Sequence, residues 1–357
     1  MKEAGSIPTT ADVAAQLVRL SPQYAPTPLM ASPELARELG VSQVLVKNEG
    51  HRLLGSFKSL GGGYAGLRAL ALAAGKCIEE LVAVKPRSQQ TLICASDGNH
   101  GLAVAMAARL AGAPSRVYLH TAVPRARASR IERQGAHIKW VRGTYDDAVD
   151  AAASDARQGG GILVADTTDD PDDATVGDVM AGYGVIAEEI RTQLTGAHRR
   201  PTHLFVQAGV GGLAAALAEG LADWLAAPAG LYVVEPDKAP AVAAALKGGR
   251  PVRVSGDLQT TAEMLSCGEA SAPAIVVLRR HLVTSVLVSE QALDEAAATV
   301  RKMCSINTTS SGAAGLAGAL AMRPLPPEAR VLLVVTERDA DDLAQSSHGT
   351  ALAESAI

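Results

Sequence analysis

Short apolar runs alternate with longer segments of helical spacing along most of this chain. The runs are rich in Val, Ile and Leu, which is typical of strands. The predicted strands are Val44–Lys47, Thr91–Ala95, Arg116–His120, His137–Val141, Ile162–Ala165, Leu204–Gln207, Leu231–Glu235, Ser285–Val288 and Val331–Thr336. Ala-rich segments between them predict helices, among them Gly101–Ala111, Gly211–Leu225 and Gln291–Met303. The repeated order of strand, helix and strand indicates an α/β fold with parallel sheets.

The predicted strands fall into two groups along the chain. Four of them lie between Thr91 and Ala165 and predict a small sheet, and the others predict a larger one. We therefore expect two open, twisted, mostly parallel sheets flanked by helices. Residues 1–88 and 186–357 would form a large domain, and residues 89–185 a smaller inserted α/β domain. The length of 357 residues fits two domains at roughly 150 residues each.

Composition and charge exclude several classes of function. The net charge of −4, without a basic stripe, argues against a nucleic-acid partner. The most apolar long stretch, residues 209–227, is interrupted by Glu219 and Asp223, so it predicts a buried helix and no membrane span. Residues 1–20 have no apolar core of the kind a secretory signal needs. The four cysteines are widely scattered, which predicts neither a zinc site nor a disulfide framework and fits a cytoplasmic protein.

The first segment with chemical character surrounds Lys58. Residues 55–63 read Gly-Ser-Phe-Lys-Ser-Leu-Gly-Gly-Gly and open a helical stretch that runs to about Ala74. The start of a helix is electropositive, so a lysine there is predicted to have a lowered pKa, as an amine nucleophile needs. The flanking glycines let backbone come close to a ligand. The plainer interpretation is a lysine on the surface.

Two further segments lie where a strand ends and a helix begins, which is where open α/β sheets bind ligands. Residues 95–101 read Ala-Ser-Asp-Gly-Asn-His-Gly, and residues 207–213 read Gln-Ala-Gly-Val-Gly-Gly-Leu. Backbone N–H groups at such junctions suit anions, and the second segment suits a phosphate. That segment is also similar to a dinucleotide fingerprint, with Glu235 near the expected acidic position. Asp97 has a plainer interpretation as a helix N-cap.

In this order, the three segments resemble the tryptophan-synthase-β-like enzymes of fold type II, which depend on pyridoxal phosphate (PLP). Within that group the chain most resembles diaminopropionate ammonia-lyases, over about Thr27 to Asp341. The further segments that carry the resemblance are Lys-Asn-Glu-Gly-His-Arg (47–52), Phe-Lys-Ser-Leu-Gly-Gly (57–62), Val-Glu-Pro-Asp-Lys-Ala (234–239) and Cys-Gly-Glu (267–269). The resemblance implies that PLP is the cofactor and lies in the cleft between the two domains.

The resemblance also implies which residues hold the cofactor. They are Lys58, Asn99, Gly209, Val210, Gly211, Gly212 and Thr336. The lysine would carry PLP as a Schiff base and remove the α-proton of the substrate. The asparagine would hydrogen-bond the phenolic oxygen, and the four consecutive residues would cradle the phosphate. The threonine hydroxyl would face the pyridine nitrogen and leave it largely unprotonated, which favours elimination over transamination.

Two aspartates, Asp97 and Asp166, match positions that diaminopropionate ammonia-lyases use beside the substrate. A carboxylate can bind the β-ammonium leaving group, and one whose pKa is raised by burial can act as an acid or base. By resemblance, Asp97 would take the α-proton of the D-substrate, which Lys58 cannot reach. Serine and threonine dehydratases usually have Ser or Ala at the position of Asp97. For Asp166, a solvated acidic loop stays open as an alternative.

The chain departs from those lyases close to the expected substrate site. The loop after Asp166 reads Thr-Thr-Asp-Asp-Pro-Asp-Asp where aromatic residues are expected. Ser310 stands in place of an expected Glu, and Arg338 in place of an expected Gly. A site that hydrogen-bonds one polar group discriminates strongly, so such changes can redirect specificity.

The predicted function is the PLP-dependent α,β-elimination of a small amino acid, with 2,3-diaminopropionate giving pyruvate and ammonia. A serine or threonine dehydratase and a β-replacement synthase are alternatives. A PLP- or amino-acid-binding protein without catalysis and a dinucleotide-binding oxidoreductase are further ones. By resemblance we expect a homodimer. Besides the amino-acid substrate, neither a nucleic acid, a membrane nor a metal is an expected partner.

Overall fold

The structure, a computed structural model, describes residues 10–20, 24–84, 90–96, 98–196 and 199–339. Its helices are α1 Thr10–Leu20, α2 Pro33–Leu39, α3 Lys58–Ala73, α4 Ile78–Val84, α5 Asn99–Ala111, α6 Arg125–Glu132, α7 Tyr145–Arg157, α8 Ala174–Gln193, α9 Gly212–Leu221, α10 Ala241–Gly248, α11 Ala272–Arg280, α12 Glu290–Cys304 and α13 Ser310–Ala321. Its strands are β1 Leu29–Ala31, β2 Gln43–Asn48, β3 Leu92–Ala95, β4 Ser115–His120, β5 His137–Val141, β6 Ile162–Leu163, β7 His203–Gln207, β8 Gly230–Pro236, β9 Thr284–Val288 and β10 Arg330–Val335.

The larger sheet has the strand order β1-β2-β10-β7-β8-β9 and is parallel except for the pair β1–β2. Alternate residues of its central strand β10 enter different apolar clusters. Leu332 and Val334 pack into one cluster, and Val331, Leu333 and Val335 into the other. Because side chains alternate across a strand, this division means that both faces of the sheet are covered. The unbroken apolar run at 331–335 is typical of a strand that is covered on both faces.

The smaller sheet has the order β5-β4-β3-β6 and is parallel throughout. The four strands predicted between Thr91 and Ala165 form this sheet, so the expectation of two mostly parallel sheets is confirmed. β6 is shorter than predicted, since it pairs with β3 only at Ile162 and Leu163. The predicted domain limits stay a prediction, and the expected limit after residue 185 lies inside α8.

Helices α3 and α8 cross at two glycines beside the start of α3. A Cβ atom on Gly61 would lie 2.3 Å from Cε1 of Tyr183 and 2.7 Å from the carbonyl oxygen of Val179. A Cβ atom on Gly182 would lie 2.6 Å from the carbonyl oxygen of Leu60. Only glycine permits this approach, which brings Tyr183 against the first turn of α3 and therefore close to Lys58.

A network of buried charges fixes the segment between β2 and α3. Glu189 on α8 accepts hydrogen bonds from Lys47 Nζ at 2.6 Å and from both terminal nitrogens of Arg52 at 2.8 and 2.7 Å. Arg52 also donates to Glu49 at 2.8 and 2.9 Å. Each of these side chains is at most 6% exposed. Two cations and two anions thus balance, as burial of charge requires.

Backbone bonds then tie the residues before Lys58 to the residues after β10. The N–H of Arg338 donates to the carbonyl of Gly55 at 2.9 Å, and the N–H of Phe57 donates to the carbonyl of Thr336 at 3.2 Å. Ser56 and Glu337 form an isolated antiparallel bridge. The start of α3 is therefore held against the end of the central strand of the larger sheet.

Candidate active site

One cavity lies where the carboxyl ends of parallel strands from both sheets meet. The predicted site residues that line it are Lys58, Asn99, Asp166, Gly209, Val210, Gly211, Gly212 and Thr336. They follow β2, β3, β6, β7 and β10, which is the edge where open α/β sheets bind ligands. Its empty volume is about 780 Å³, including space open to solvent. The structure thus brings together every predicted site residue it describes; Asp97 lies outside the described residues.

An ion pair between Lys58 and Asp166 lies on the wall of this cavity. Nζ of Lys58 donates to Oδ2 of Asp166 at 2.6 Å. The other carboxylate oxygen, Oδ1, accepts from the hydroxyl of Tyr145 at 2.8 Å. Asp166 is 6% exposed, so it is a buried site residue and not part of a solvated acidic loop. Lys58 follows a strand of the larger sheet and Asp166 a strand of the smaller one, so only the folded chain brings the amine and the carboxylate together.

This ion pair reverses the pKa shifts expected from the sequence. Burial lowers the pKa of the Lys58 amine, but the Asp166 carboxylate outweighs it and holds that pKa above its ordinary value. Burial likewise acts to raise the pKa of Asp166, and the Lys58 ammonium holds it well below its usual range. The net shift of the Lys58 pKa is therefore opposite to the predicted lowering, because Asp166, far away in the sequence, lies against the amine.

His100 packs beside this pair as a neutral imidazole. Its Nε2 lies 2.8 Å from the carbonyl oxygen of Val164, which can only accept, so Nε2 carries the proton. Burial lowers the pKa of His100, although Asp166 lies 4.0 Å from Nδ1. Among the described residues, Nδ1 has no hydrogen-bond partner. His100 therefore offers an unused acceptor at the edge of the site.

The glycine-rich turn after β7 presents unpaired backbone donors. No acceptor among the described residues takes the N–H groups of Gly209, Val210 or Gly211. Gly211 has φ +97°, and α9 starts after it without a side-chain cap. A Cβ atom on Gly209 would lie 2.9 Å from Sγ of Cys267. Free N–H groups at a helix N-terminus form an anion cradle, and side chains would crowd it.

The hydroxyl of Thr336 has a fixed direction. Nε2 of Gln207 donates to Oγ1 of Thr336 at 3.2 Å and to the carbonyl oxygens of Ser311 and Gly312. Because Oγ1 accepts from Gln207, its own proton is free to be donated into the cavity. Oε1 of Gln207 has no partner among the described residues.

Asn99 is oriented by a buried acid that follows Thr336. Its Nδ2 donates to Glu337, whose other carboxylate oxygen accepts from the hydroxyl of Thr309 at 2.6 Å. Glu337 is 5% exposed, and burial raises the pKa of its carboxyl group. The amide of Asn99 keeps a second Nδ2 proton for a ligand in the cavity.

Two tyrosines of the site were missed by sequence reasoning. Tyr145 lies at the start of α7 and packs with Val210 and Cys267, and Tyr183 on α8 lies 4.8 Å from Phe57 between ring centroids. The one available signal was their rarity, since the chain has only six tyrosines. Both reach the site through contacts between helices, which sequence spacing does not encode.

Several sequence alternatives find plainer explanations in the structure. Glu235 accepts from the N–H groups of Val242 and Ala243 at 2.6 and 2.8 Å, so it caps α10 and does not face a nucleotide site. Asp173 caps α8 in the same way. In the parts of the chain that the structure describes, no group of three or more His, Cys, Asp or Glu could hold a metal. No described helix is long and apolar enough to cross a membrane.

The donors and acceptors of this cavity fit PLP. The unpaired N–H groups of residues 209–211 suit a phosphate, and the Thr336 hydroxyl suits a pyridine nitrogen. Asn99 offers a donor to a phenolate, and Lys58 offers the amine that an aldehyde needs. Orphaned buried atoms, such as Oε1 of Gln207, lie on the same wall.

Comparison with known proteins agrees with this fit. Residues 20–337 match the family of pyridoxal-phosphate dependent enzymes, and the chain belongs to that family. Its cofactor is pyridoxal phosphate. Within the family it is a diaminopropionate ammonia-lyase-like member of the fold type II enzymes, as the resemblance predicted.

Two relatives, one of them also through its crystal structure, show where the chain lies in the family. Diaminopropionate ammonia-lyase of Escherichia coli K12 is 34% identical over 72% of this chain and 66% of its own length. The crystal structure of the Escherichia coli enzyme in complex with D-serine has a TM-score of 0.83 at 28% identity, covering 96% of this chain and 92% of that chain. The biosynthetic threonine dehydratase of Corynebacterium glutamicum is 29% identical over 71% of this chain and 53% of its own length. This chain thus spans slightly less than two thirds of the first enzyme in sequence.

Proposed function

We propose that this chain is a carbon–nitrogen lyase that converts 2,3-diaminopropionate to pyruvate and ammonia. The observation that carries the proposal is the pairing of Lys58 Nζ with the buried carboxylate of Asp166 inside the PLP cavity. A carboxylate at this place suits a substrate whose leaving group is an ammonium. The match covers 66–69% of the length of the diaminopropionate ammonia-lyases but only 51–53% of the length of two bacterial threonine dehydratases, which supports the same choice.

In this proposal, Lys58 and Asp166 divide the work of the elimination. When bound, PLP supplies the acceptor for the electron pair left at Cα. The amine of Lys58 takes the α-proton, and the carboxylate of Asp166 holds the β-ammonium. The Cβ–N bond breaks with its electron pair on nitrogen, so ammonia leaves. The released 2-aminoacrylate hydrolyses in water to pyruvate and a second ammonia.

The ion pair in the structure implies an exchange of partners when substrate binds. A protonated Lys58 cannot take a proton, and Asp166 favours the protonated form. The ion pair is that of the cofactor-free protein; once the substrate amine has displaced Lys58 from the cofactor, a β-ammonium that pairs with Asp166 takes the place of the lysine ammonium as its counter-ion, which favours the neutral form of Lys58. Tyr145 keeps the carboxylate in place through Oδ1 during this exchange. Substrate binding thereby activates the base.

Thr336 and Asn99 complete the proposed cofactor site. A Thr336 hydroxyl that donates into the cavity keeps a pyridine nitrogen as an acceptor, hence unprotonated. This limits electron withdrawal and favours elimination over transamination. Asp97 stays the proposed base for the D-isomer, and the related Escherichia coli enzyme crystallised with D-serine.

The first experiment measures pyruvate released by the purified protein from L- and D-2,3-diaminopropionate, with L-serine alongside. We expect diaminopropionate to exceed serine in kcat/KM. Lys58→Ala should abolish turnover and the visible absorbance of covalently bound cofactor. A preference for serine would instead favour the dehydratase, and a requirement for a second substrate would favour β-replacement.

A matched pair of aspartates tests the assigned carboxylate. Asp166→Asn should lower kcat/KM for diaminopropionate by about ten- to hundredfold, the value of a hydrogen bond to a charged group. Asp169→Asn removes an exposed carboxylate from the same loop and should leave kcat/KM for diaminopropionate unchanged. Equal effects of the two substitutions would contradict the role of Asp166.

We also propose a homodimer in the cytoplasm. The resemblance supports the dimer, and four free cysteines support a reducing compartment. Light scattering coupled to size exclusion tests the dimer, because a monomer mass at micromolar concentration would contradict it.

A further inference from the structure

A second cavity adjoins the active site and is lined by three arginines. Arg127, Arg130 and Arg338 line it, and its empty volume is about 390 Å³ with space open to solvent. Gly98, Asn99, Met264 and Glu337 line both this cavity and the active-site cavity. A ligand in the active site can therefore extend into what we call the arginine pocket (Arg127, Arg130 and Arg338).

The arginines reach the pocket from two separate parts of the chain. Arg127 and Arg130 lie three residues apart on α6, so they share a face of that helix. Arg338 follows β10, where its N–H bonds the carbonyl of Gly55 at 2.9 Å. The position of Arg338 is thus fixed by backbone, and its guanidinium stands where the resembling lyases have a glycine.

The positive charge of the pocket is only partly offset by the described residues. Arg127 pairs with Glu263, an exposed side chain at the rim. Arg130 donates to the carbonyl oxygen of Leu54 at 3.0 Å, and no carboxylate among the described residues pairs with it or with Arg338. Burial and the nearby Arg133 lower the pKa of Arg130, and the Glu337 carboxylate, which acts to raise that pKa, does not outweigh them.

Glu337 offsets part of this charge, but among the described residues it forms no ion pair with an arginine of the pocket. Its two carboxylate oxygens accept from Asn99 and Thr309, and burial raises the pKa of the group. Converging guanidinium groups destabilise a fold unless an anion joins them, and arginine is the side chain best shaped to bind a carboxylate. The elimination proposed for diaminopropionate does not require these arginines.

We propose that the arginine pocket binds a carboxylate beside the reacting amino acid, carried either by the leaving group of the substrate or by a separate acid. This inference rests on the elimination proposed above; it adds to diaminopropionate either β-substituted alanines with an anionic leaving group or a second, acidic ligand. In the first case, the α-proton goes to Lys58, the bond from Cβ to the substituent breaks with its electron pair on the substituent, and the substituent leaves with its carboxylate. In the second case, the acid binds next to diaminopropionate and is unchanged.

The test compares charged and neutral ligands of the holoenzyme. O-succinyl-L-serine carries a carboxylate on the leaving group, and O-acetyl-L-serine lacks it. Dissociation constants come from the change in visible absorbance of the bound cofactor, and pyruvate release is measured in parallel. We expect the succinyl compound to bind roughly ten- to hundredfold more tightly than the acetyl compound. Arg130→Gln and Arg338→Gln should each reduce this ratio towards one.

Three controls separate charge recognition from loss of structure. Arg133→Gln removes an exposed arginine next to the end of α6 and should keep the wild-type ratio and activity. Arg338→Lys keeps a positive charge and should keep most of the preference for O-succinyl-L-serine over O-acetyl-L-serine. Both ligands are compared on one protein, so a general loss of folding or cofactor does not change their ratio selectively.

A second experiment tests whether a separate acid binds in the arginine pocket. Succinate added to the holoenzyme should tighten L-2,3-diaminopropionate binding in wild type and lose this effect in Arg130→Gln and Arg338→Gln. If neither the succinyl preference nor the succinate effect depends on Arg130 or Arg338, the inference is overturned. If the protein releases pyruvate from diaminopropionate but neither ligand effect depends on Arg130 or Arg338, only the arginine pocket is refuted. If the preference for the succinyl compound depends on these arginines but no compound gives pyruvate, only the lyase activity is refuted.

Discussion

Replacing Glu189 should be among the most damaging single changes outside the cofactor site. This carboxylate is the counter-ion of both Lys47 and Arg52, and it also accepts from the hydroxyl of Tyr24 and from the N–H of Thr27. In Glu189→Ala, the buried set changes from two cations and two anions to two cations and one anion. Removal of one partner from a buried ion pair costs about 3–5 kcal/mol.

The consequences of this loss fall unequally on the two cations. Arg52 keeps two bonds to Glu49, whereas Lys47 keeps only the carbonyl oxygen of Thr27 and the amide of Gln193, at 2.8 and 2.9 Å. Burial already lowers the pKa of Lys47 despite Glu189. Without that carboxylate we expect Lys47 to lose its proton, which places the cost at the lower end of the range.

Urea unfolding of the holoenzyme measures this cost. With a slope of about 2–3 kcal/mol per M and a cost of about 3 kcal/mol, the urea midpoint of Glu189→Ala should fall by about 1–1.5 M. Glu188→Ala removes the exposed neighbouring glutamate and should change the midpoint by less than about 0.3 M. The double variant Lys47→Met/Glu189→Leu restores charge balance and should recover more than half of the loss. If the midpoints of Glu189→Ala and Glu188→Ala agree, the assigned network does not stabilise the fold.

Four further changes have defined outcomes. Gly61→Ala should lower the free energy of unfolding by at least about 1–3 kcal/mol, because its Cβ would overlap α8, as urea unfolding can measure. Gly211 has φ +97°, a backbone conformation that alanine adopts only with strain. Gly211→Ala should therefore weaken PLP binding by roughly tenfold, as titration of cofactor-free protein can measure. Tyr145→Phe should lower kcat/KM for diaminopropionate about tenfold and leave the dissociation constant of PLP unchanged, because the substitution removes the hydroxyl that bonds Asp166. In cofactor-free protein, the folded pKa of Asp166 lies below 3.8 and that of Lys58 above 10.5, so the pair stabilises between these values and fades as pH falls below the first or rises above the second. The difference in free energy of unfolding from Asp166→Asn should therefore be constant from about pH 5 to 9, and a slope there would contradict the assignment.

Most of the fold follows from local pattern. The strands predicted from apolar runs agree with β2 to β10 within a few residues, and the pattern is clearest in β2, β3, β7 and β10, which are buried on both faces. β1 escaped prediction because three residues, Leu29–Ala31, are too short to show a period. The start of α3 at Lys58 was predicted because glycine and small polar residues mark that junction.

The site could be predicted as a set of residues but not as a set of interactions. Motifs named Lys58 and Asp166 separately, yet their bond joins residues 108 positions apart and determines the pKa of both. Tyr145 and Glu337 act on Asp166 and Asn99 through packing between elements. Contacts of this kind depend on how the sheets are oriented, which no local spacing encodes.

The place of β10 in the larger sheet sets the order of events during synthesis on the ribosome. This strand lies between β2 and β7, although it emerges after both of them. Until residues 330–335 emerge, β2 and β7 each lack β10, their shared neighbour in the sheet. Their unpaired apolar edges are prone to aggregation during this time. The smaller sheet comes from one continuous segment and can form earlier. Thr336 and Glu337 emerge last of the cavity residues, so cofactor capture is timed to the completion of the central strand.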